Sequence, residues 1–194
     1  MEIILASFNR GKAREIEKIV SPIAARSLAD FGLSIDFDSI ENAGTYEGNA
    51  LIKARAAAEH VSGIIVADDS GLEVDAIGGR PGVLSARYGG ADISDAKRYE
   101  FLLDEMLGVP EEKRTARFVC CVAARFEDGS ERIFTGKLEG RIHTEPLGSD
   151  GFGYDPVFLL PGGLTVAQLT PEEKNRISHR AAAFSALKSF LTEI

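Results

Sequence analysis

Asp68 and Asp69 are adjacent carboxylates that directly follow a short, β-branched apolar run, Ile64-Ile65-Val66-Ala67, and Ser70-Gly71 come next. Two neighbouring carboxylates repel each other and resist burial, so a cation or a donor-rich setting must compensate. Open α/β sheets bind ligands beyond the carboxyl ends of their strands. Hard oxygen donors at such a place, with a polyphosphate nearby, suit magnesium. Alternation along a strand leaves one of the pair for the ligand. The competing reading is a solvated turn, in which Asp, Ser and Gly are common.

Four other segments carry polar chemistry. Ser7-Phe8-Asn9-Arg10-Gly11-Lys12 lies between an apolar run and a helical pattern. Backbone N–H groups and the helix dipole there form an anion site, and Gly11 permits close approach. Lys12 is badly placed against that dipole unless something anionic sits before it. The plain alternative is a polar loop with Asn9 as N-cap. Glu41, Glu47, Asn49 and Lys53 precede or lie on a second helix, and the simplest reading is a solvated helix face. In Gly151-Phe152-Gly153-Tyr154-Asp155-Pro156 an aromatic is bracketed by glycines, either held out to stack on a base or serving as a core plug. Lys174, Ser178, His179 and Arg180 form the last group; Ser178 as N-cap puts His179 and Arg180 in a first turn. Two helix starts carrying cations suggest a polyanion, or an electron-rich base edge, between them.

The elements that must position these residues are legible from periodicity. Residues 2–6 and 64–67 read as buried strands, and 10–20 and 46–62 as helices. A helix capped by Ser94 runs to about Leu107, and strands 116–126 and 131–138 flank the hairpin signal Asp128-Gly129. Residues 154–160 look like one more strand. Thr170-Pro171-Glu172-Glu173 is a capping box, and 179–192 is an amphipathic closing helix. This predicts an α/β chain with a mixed sheet, which the hairpin could extend into a second lobe.

The 194 residues suffice for one domain, or one domain with two lobes, and 44% hydrophobic with 27% charged residues is ordinary for a soluble protein. No apolar run has membrane-spanning length and no secretory signal opens the chain, so a cytoplasmic location is expected. A net charge of −8 argues against a broad nucleic-acid surface, but not against a small phosphorylated ligand. Cys120 and Cys121 are adjacent and point to opposite faces of a strand, which suits two buried small residues rather than a disulfide or metal site.

Taken in order, these segments resemble the inosine/xanthosine triphosphate pyrophosphatase family over nearly the whole chain. The match includes Ser7-x-Asn9-x-x-Lys12, Thr45-Tyr46-Glu47 with Asn49-Ala50 and Lys53-Ala54, and Ala67-Asp68-Asp69-Ser70-Gly71-Leu72. It continues through Pro81-Gly82-Val83, Ser85-Ala86-Arg87-Tyr88, Ala116-Arg117-Phe118, Gly151 to Pro156, Glu173-Lys174 and Ser178-His179-Arg180. The resemblance implies one domain over residues 1–194: an elongated mixed β-sheet flanked by helices, with two lobes around a central active-site cleft, commonly a homodimer. It implies Mg-dependent hydrolysis of non-standard purine nucleoside triphosphates (ITP, dITP, XTP, dXTP) to monophosphate and pyrophosphate. Ser7, Phe8, Asn9, Arg10, Gly11 and Lys12 would hold the triphosphate, supported by Lys53 and Ser70. Asp69 would be the catalytic carboxylate, acting on the metal and the attacking water, with Glu41 as second metal ligand. Phe152 would stack on the base, and Gly153, Tyr154, Asp155, Lys174, His179 and Arg180 would line its pocket.

Four positions depart from the usual pattern. Ala43 stands where a glycine two residues after Glu41 is usual, Gly48 and Gln168 replace glutamates, and Phe8 is larger than usual. The rivals are a Maf-type pyrophosphatase, whose Ser-Pro-Arg-Arg run is absent, and a haloacid-dehalogenase-like phosphatase, whose aspartates lie two apart. A non-catalytic nucleotide-binding protein is the rival of a different class, and the intact carboxylates disfavour it.

Overall fold

A computed structural model of the chain describes residues 1–193. Its main elements are β1 (Glu2–Leu5), α1 (Arg10–Val20), β2 (Ala24–Ser27), α2 (Tyr46–Ala58), β3 (Ile64–Val74), β4 (Pro81–Gly82), α3 (Asp95–Glu105), β5 (Thr115–Arg125), β6 (Glu131–Ile142), β7 (Phe158–Leu159), α4 (Pro171–Ile177) and α5 (His179–Glu193). The strands form a mixed sheet in the order β2-β1-β3-β5-β6-β7, with β4 paired to β3. β1 runs parallel to both β2 and β3, with Leu5 opposite Val66, whereas β4 and β7 are antiparallel to their neighbours. The expected α/β class with a mixed sheet is therefore the observed one.

The chain divides into two compact units, and one comprises Met1–Asp69, Cys120–Gly136 and His179 onward. Strand alternation sets its layers. Ile3, Leu5 and Val66 point to the side covered by α1 and α5, where Ile16, Val20, Phe184 and Leu187 complete the core. Ile4, Ala6, Ile65 and Ala67 point to the other side, where Ala50, Ala54 and Ala57 of α2 pack on them. Each large side chain buried in this way contributes roughly 1.5–3 kcal/mol. The Asp128-Gly129 turn joins β5 to β6 with Gly129 at φ 83°, and near it Phe126 and Phe134 pack on Phe190 of α5. This hairpin tip belongs to the first unit. Cys120 and Cys121 are both buried.

The other unit comprises Ser70–Val119 and Lys137–Ser178. Leu102, Met106, Phe118, Ile142, Val157 and Phe158 form its core, with the Phe118 and Phe158 rings 4.4 Å apart. Two buried arginines act as backbone clamps. Arg98 donates to the carbonyls of Tyr88, Gly90 and Ile93, and Arg114 to those of Met106 and Ile142. These bonds give partners to backbone carbonyls in loops and at the ends of elements.

Several boundaries differ from expectation. β3 does not stop at Ala67 but runs through both aspartates to Val74, because fully buried Leu72 and Val74 resume its apolar alternation. Asp68-Asp69 is thus neither a turn nor a strand end, although it does lie just past the end of β1. The strand expected over 154–160 is reduced to Phe158–Leu159 behind a 3-10 turn at Asp155–Val157, since Pro156 cannot donate to a ladder. β2 lies outside the expected elements; its sequence, AARS, has little strand character, and pairing with β1 supplies the order. α2 ends at Ala58 rather than near residue 62. Ser94 and Thr170 cap α3 and α4 as expected. Among the described residues no helix is long and apolar enough to cross a membrane.

Candidate active site

The parity of β3 sends its two carboxylates to different helix layers. Asp68 follows Val66 toward α1 and α5, and Asp69 follows Ala67 toward α2. Asp68 is 6% exposed, with Oδ1 2.6 Å from Lys12 Nζ and Oδ2 3.6 Å from Arg180 Nε. Arg180 also reaches Glu15, 3.3 Å away. Burial alone would raise the Asp68 pKa, but Lys12 and Arg180, with Lys53 further off, outweigh it and bring it down to about 2. Burial likewise opposes the charge on Arg180, and Asp68 and Glu15 override it, so its pKa is raised.

Lys12 in the first turn of α1 and Arg180 in the first turn of α5 share an anion within the chain, the carboxylate of Asp68. The carboxylate offsets two cations that the helix dipoles disfavour. Lys12 keeps part of its surface open, with its side chain 23% exposed.

Asp69 belongs to a second constellation. Its Oδ2 accepts from Asn49 Nδ2 at 3.0 Å, and its Oδ1 lies 3.7 Å from Lys53 Nζ. The same ammonium is 2.5 Å from Glu41 Oε1. Asn49 Oδ1 accepts from the Ala43 backbone N–H, which ties the Glu41 loop to Asp69 through one amide. The expectation of a solvated face for this helix is overturned at Asn49 and Lys53, both buried, while Glu47 is exposed. A signal was present, since positions 49, 53 and 57 share a helix stripe and Ala57 is core.

Glu41 and Asp69 suit a small divalent cation. Both are partly buried carboxylates already gathered by one ammonium, and magnesium takes one or two protein carboxylates with water and phosphate oxygens completing its shell. Among the described residues no group of three or more His, Cys, Asp or Glu is placed so that it could hold a metal ion. Asp68 lies outside the pair because its oxygens face Lys12 and Arg180.

The loop before α1 has a built form. Asn9 caps the helix by accepting the Lys12 N–H, and Ser7 accepts the Asn9 N–H. The Ser7 carbonyl is held by the Ser27 hydroxyl at 2.6 Å. Phe8 turns toward Phe37, 5.8 Å away, so its extra bulk packs on the core. Gly11 and Arg10 are exposed, and Arg10 lines a surface groove of about 220 Å³ with Arg14, Glu17 and Asp30. The departures at 43 and 48 are one feature, for a Cβ on Gly48 would lie 2.4 Å from the Ala43 Cβ. Gln168 makes its own capping box with Thr165.

In the second unit, Phe152 is 58% exposed, which removes the core-plug reading. Asp155, almost fully buried, accepts the Phe152 N–H and lies 2.5 Å from Lys174 Nζ. Lys174 sits over the Phe152 ring, 4.1 Å from its centre. Gly151 has to be glycine, because a Cβ there would lie 2.2 Å from Asp155 Oδ2. The buried Tyr154 hydroxyl donates to the Ser85 carbonyl, and burial pushes its pKa above the ordinary phenol value. Ser70 is partly buried on β3. Ser178 joins α4 to α5; Lys174 falls in the second unit, while His179 and Arg180, both buried, open the helix in the first.

A model of the Ham1 family matches residues 3–190 of this chain. A dITP/XTP pyrophosphatase of Geobacillus kaustophilus is 46% identical, covering 100% of this chain and 95% of the relative. The namesake in Bacillus subtilis is 44% identical over 98% of this chain and 96% of its own length. The solved structure of a HAM1 protein from Coxiella burnetii is similar with a TM-score of 0.90 and 38% identity over 100% of both chains.

Proposed function

The chain belongs to the Ham1 family, and from that premise we propose that residues 1–194 form one enzyme domain that hydrolyses non-standard purine nucleoside triphosphates. ITP, dITP, XTP and dXTP are cut to the monophosphate and pyrophosphate, which clears them from the nucleotide pool. The observation that carries this is the Glu41–Lys53–Asp69–Asn49 constellation, a partly buried pair of carboxylates held by one ammonium and one amide.

Water attack at the α-phosphorus breaks the α–β anhydride, and the electron pair leaves with pyrophosphate. Such a reaction needs positioning and charge neutralisation more than a covalent nucleophile. Glu41 and Asp69 would hold Mg2+, which when bound neutralises phosphate charge and acidifies its water. Asp69, fixed by Asn49, orients the attacking water. Lys12 and Lys53 supply positive charge to the phosphates, with Ser7, Phe8, Asn9, Arg10, Gly11 and Ser70 forming the surrounding loop and strand surface. Phe152 stacks on the base, and Gly153, Tyr154, Asp155 and Lys174 shape that platform. His179 and Arg180 offer donors to the base. A guanidinium has five N–H groups, so its pairs with Asp68 and Glu15 leave a donor for the O6 acceptor of inosine or xanthosine. Adenine presents an amine there and would leave that donor unmatched. The enzyme works as a cytoplasmic homodimer on free nucleotides, with neither nucleic acid nor membrane as partner.

The test is product analysis with ITP, XTP, ATP and GTP in the presence and absence of Mg2+. Pyrophosphate from ITP and XTP, magnesium-dependent and lost in Asp69→Asn, is expected, with ATP and GTP cleaved far more slowly. Orthophosphate as product, or equal cleavage of all four, would overturn it. Binding of ITP without turnover would point to a non-catalytic nucleotide-binding protein.

A further inference from the structure

An exposed aromatic on a glycine-flanked loop is a poor platform unless its backbone is held. Gly151 and Gly153, at φ 82° and 60°, bracket Phe152 and give the chain conformations that other residues avoid. Two consecutive N–H groups in this loop are nevertheless tied to carboxylates. The Phe152 N–H donates to Asp155 within the loop, at 2.9 Å. The Gly153 N–H donates to Asp95 Oδ2 at 2.7 Å, and Asp95 is 58 residues away in the first turn of α3. That first turn is itself rigidly mounted. Ser94 caps it by accepting the Lys97 N–H, and buried Arg98 grips the carbonyls of Tyr88, Gly90 and Ile93 in the preceding loop. Lys174, held by Asp155, occupies one face of the ring.

We propose that Asp95 is a positioning residue for base recognition, fixing the Gly153 N–H so that Phe152 presents its open face to the purine. The proposal rests on the proposed stacking of Phe152 on the base. Asp95 touches no reacting atom, so its effect falls on the base-dependent part of binding. A carboxylate suits the place, because a hydrogen bond to an ionised acceptor is stronger than a neutral one. It also lies at the N-terminal end of a helix, where a negative charge is favourable.

Asp95→Ala, Asp95→Asn and Phe152→Ala are compared for ITP kinetics, for inhibition by inorganic tripolyphosphate, which has no base, and for melting temperature. Asp95→Ala is expected to raise KM for ITP about 5-fold, the loss of one charge-assisted hydrogen bond at an exposed place. Its kcat and its tripolyphosphate inhibition should stay within about 2-fold. Asp95→Asn, whose amide oxygen still accepts, should recover most of the affinity. If Phe152→Ala raises KM and Asp95→Ala does not, the inference fails while the stacking stands. If neither variant moves KM, the stacking fails and the inference with it. Equal losses in kcat and tripolyphosphate binding, with a lowered melting temperature, would make Asp95 a fold residue and overturn the assignment.

Discussion

The two units carry opposite kinds of machinery. In the first, charges are buried or partly buried and answer one another, with Lys12, Asp68, Arg180 and Glu15 in one chain of pairs and Glu41, Lys53 and Asp69 in another. In the second, an aromatic ring stands in solvent and its backbone is held by Asp155 and Asp95. A charged site has to hold cations where a polyanion will need them, so it must neutralise them meanwhile. An aromatic platform only has to keep one surface bare and still. Changes in the first unit should therefore affect both chemistry and folding, and changes at the platform chiefly affinity.

The sharpest break is expected from Asp69→Asn. It keeps the shape and the contact with Asn49 but removes the charge, and kcat for ITP should fall about 10³-fold or more, within the range for losing a positioned acid–base or metal-binding group. Steady-state pyrophosphate release measures it. A fall of only a few-fold would move the chemistry away from Asp69.

Asp68→Ala should act mainly on stability. It leaves Lys12 and Arg180 without their shared counter-charge, and breaking a buried pair costs about 3–5 kcal/mol. Thermal unfolding should register that as a drop on the order of 6–20 °C for a chain of this size. The pH dependence has a definite sign. With a folded pKa near 2 against 3.8 for the free group, Asp68 stabilises the fold at pH values above 3.8, and that contribution fades as pH falls from there through about 2. It amounts to about 2 kcal/mol. Asp68→Asn should therefore lose stability at pH 7 and show a flatter acid limb; an unchanged acid limb would contradict the pairing.

Phe152→Ala sharpens the comparison from the other side. KM for ITP should rise about 10-fold, since stacking on one base is worth roughly 1–3 kcal/mol. The melting temperature should hardly change, because the ring is largely exposed. Unfolding of this variant would return Phe152 to a packing role. The smallest effect concerns α2, which presents Asn49 and Lys53. Gly48→Ala should gain less stability in the native background than beside Ala43→Gly, because the two Cβ atoms compete for one space. A double-mutant cycle should show coupling of about 1 kcal/mol, and additivity would separate the two positions.

Much of the fold was readable because apolar periodicity is a local property. Residues 2–5, 10–20 and the flanks of Asp128-Gly129 formed as their patterns demand, and Ser94 and Thr170 capped their helices. β2 was not readable, since AARS becomes a strand only by pairing with β1. The reach of β3 past its carboxylates was not readable either, because polar residues at 68–70 have the composition of a turn and only the packed unit makes Leu72 and Val74 core.

The sequence by itself determined which residues are available for chemistry: an Asp-Asp pair after a buried run, cations at two helix starts, and a glycine-bracketed phenylalanine. It also determined that one member of an adjacent pair must face away from the other. Only the tertiary structure decided what each one faces. Asp68 meets Lys12 and Arg180, 56 residues before it and 112 after it, and Asp69 meets Asn49 and Lys53. Alternation along a strand is set by local backbone geometry, whereas the identity of a partner depends on which helix packs on which face, and that is settled by burial summed over the whole unit.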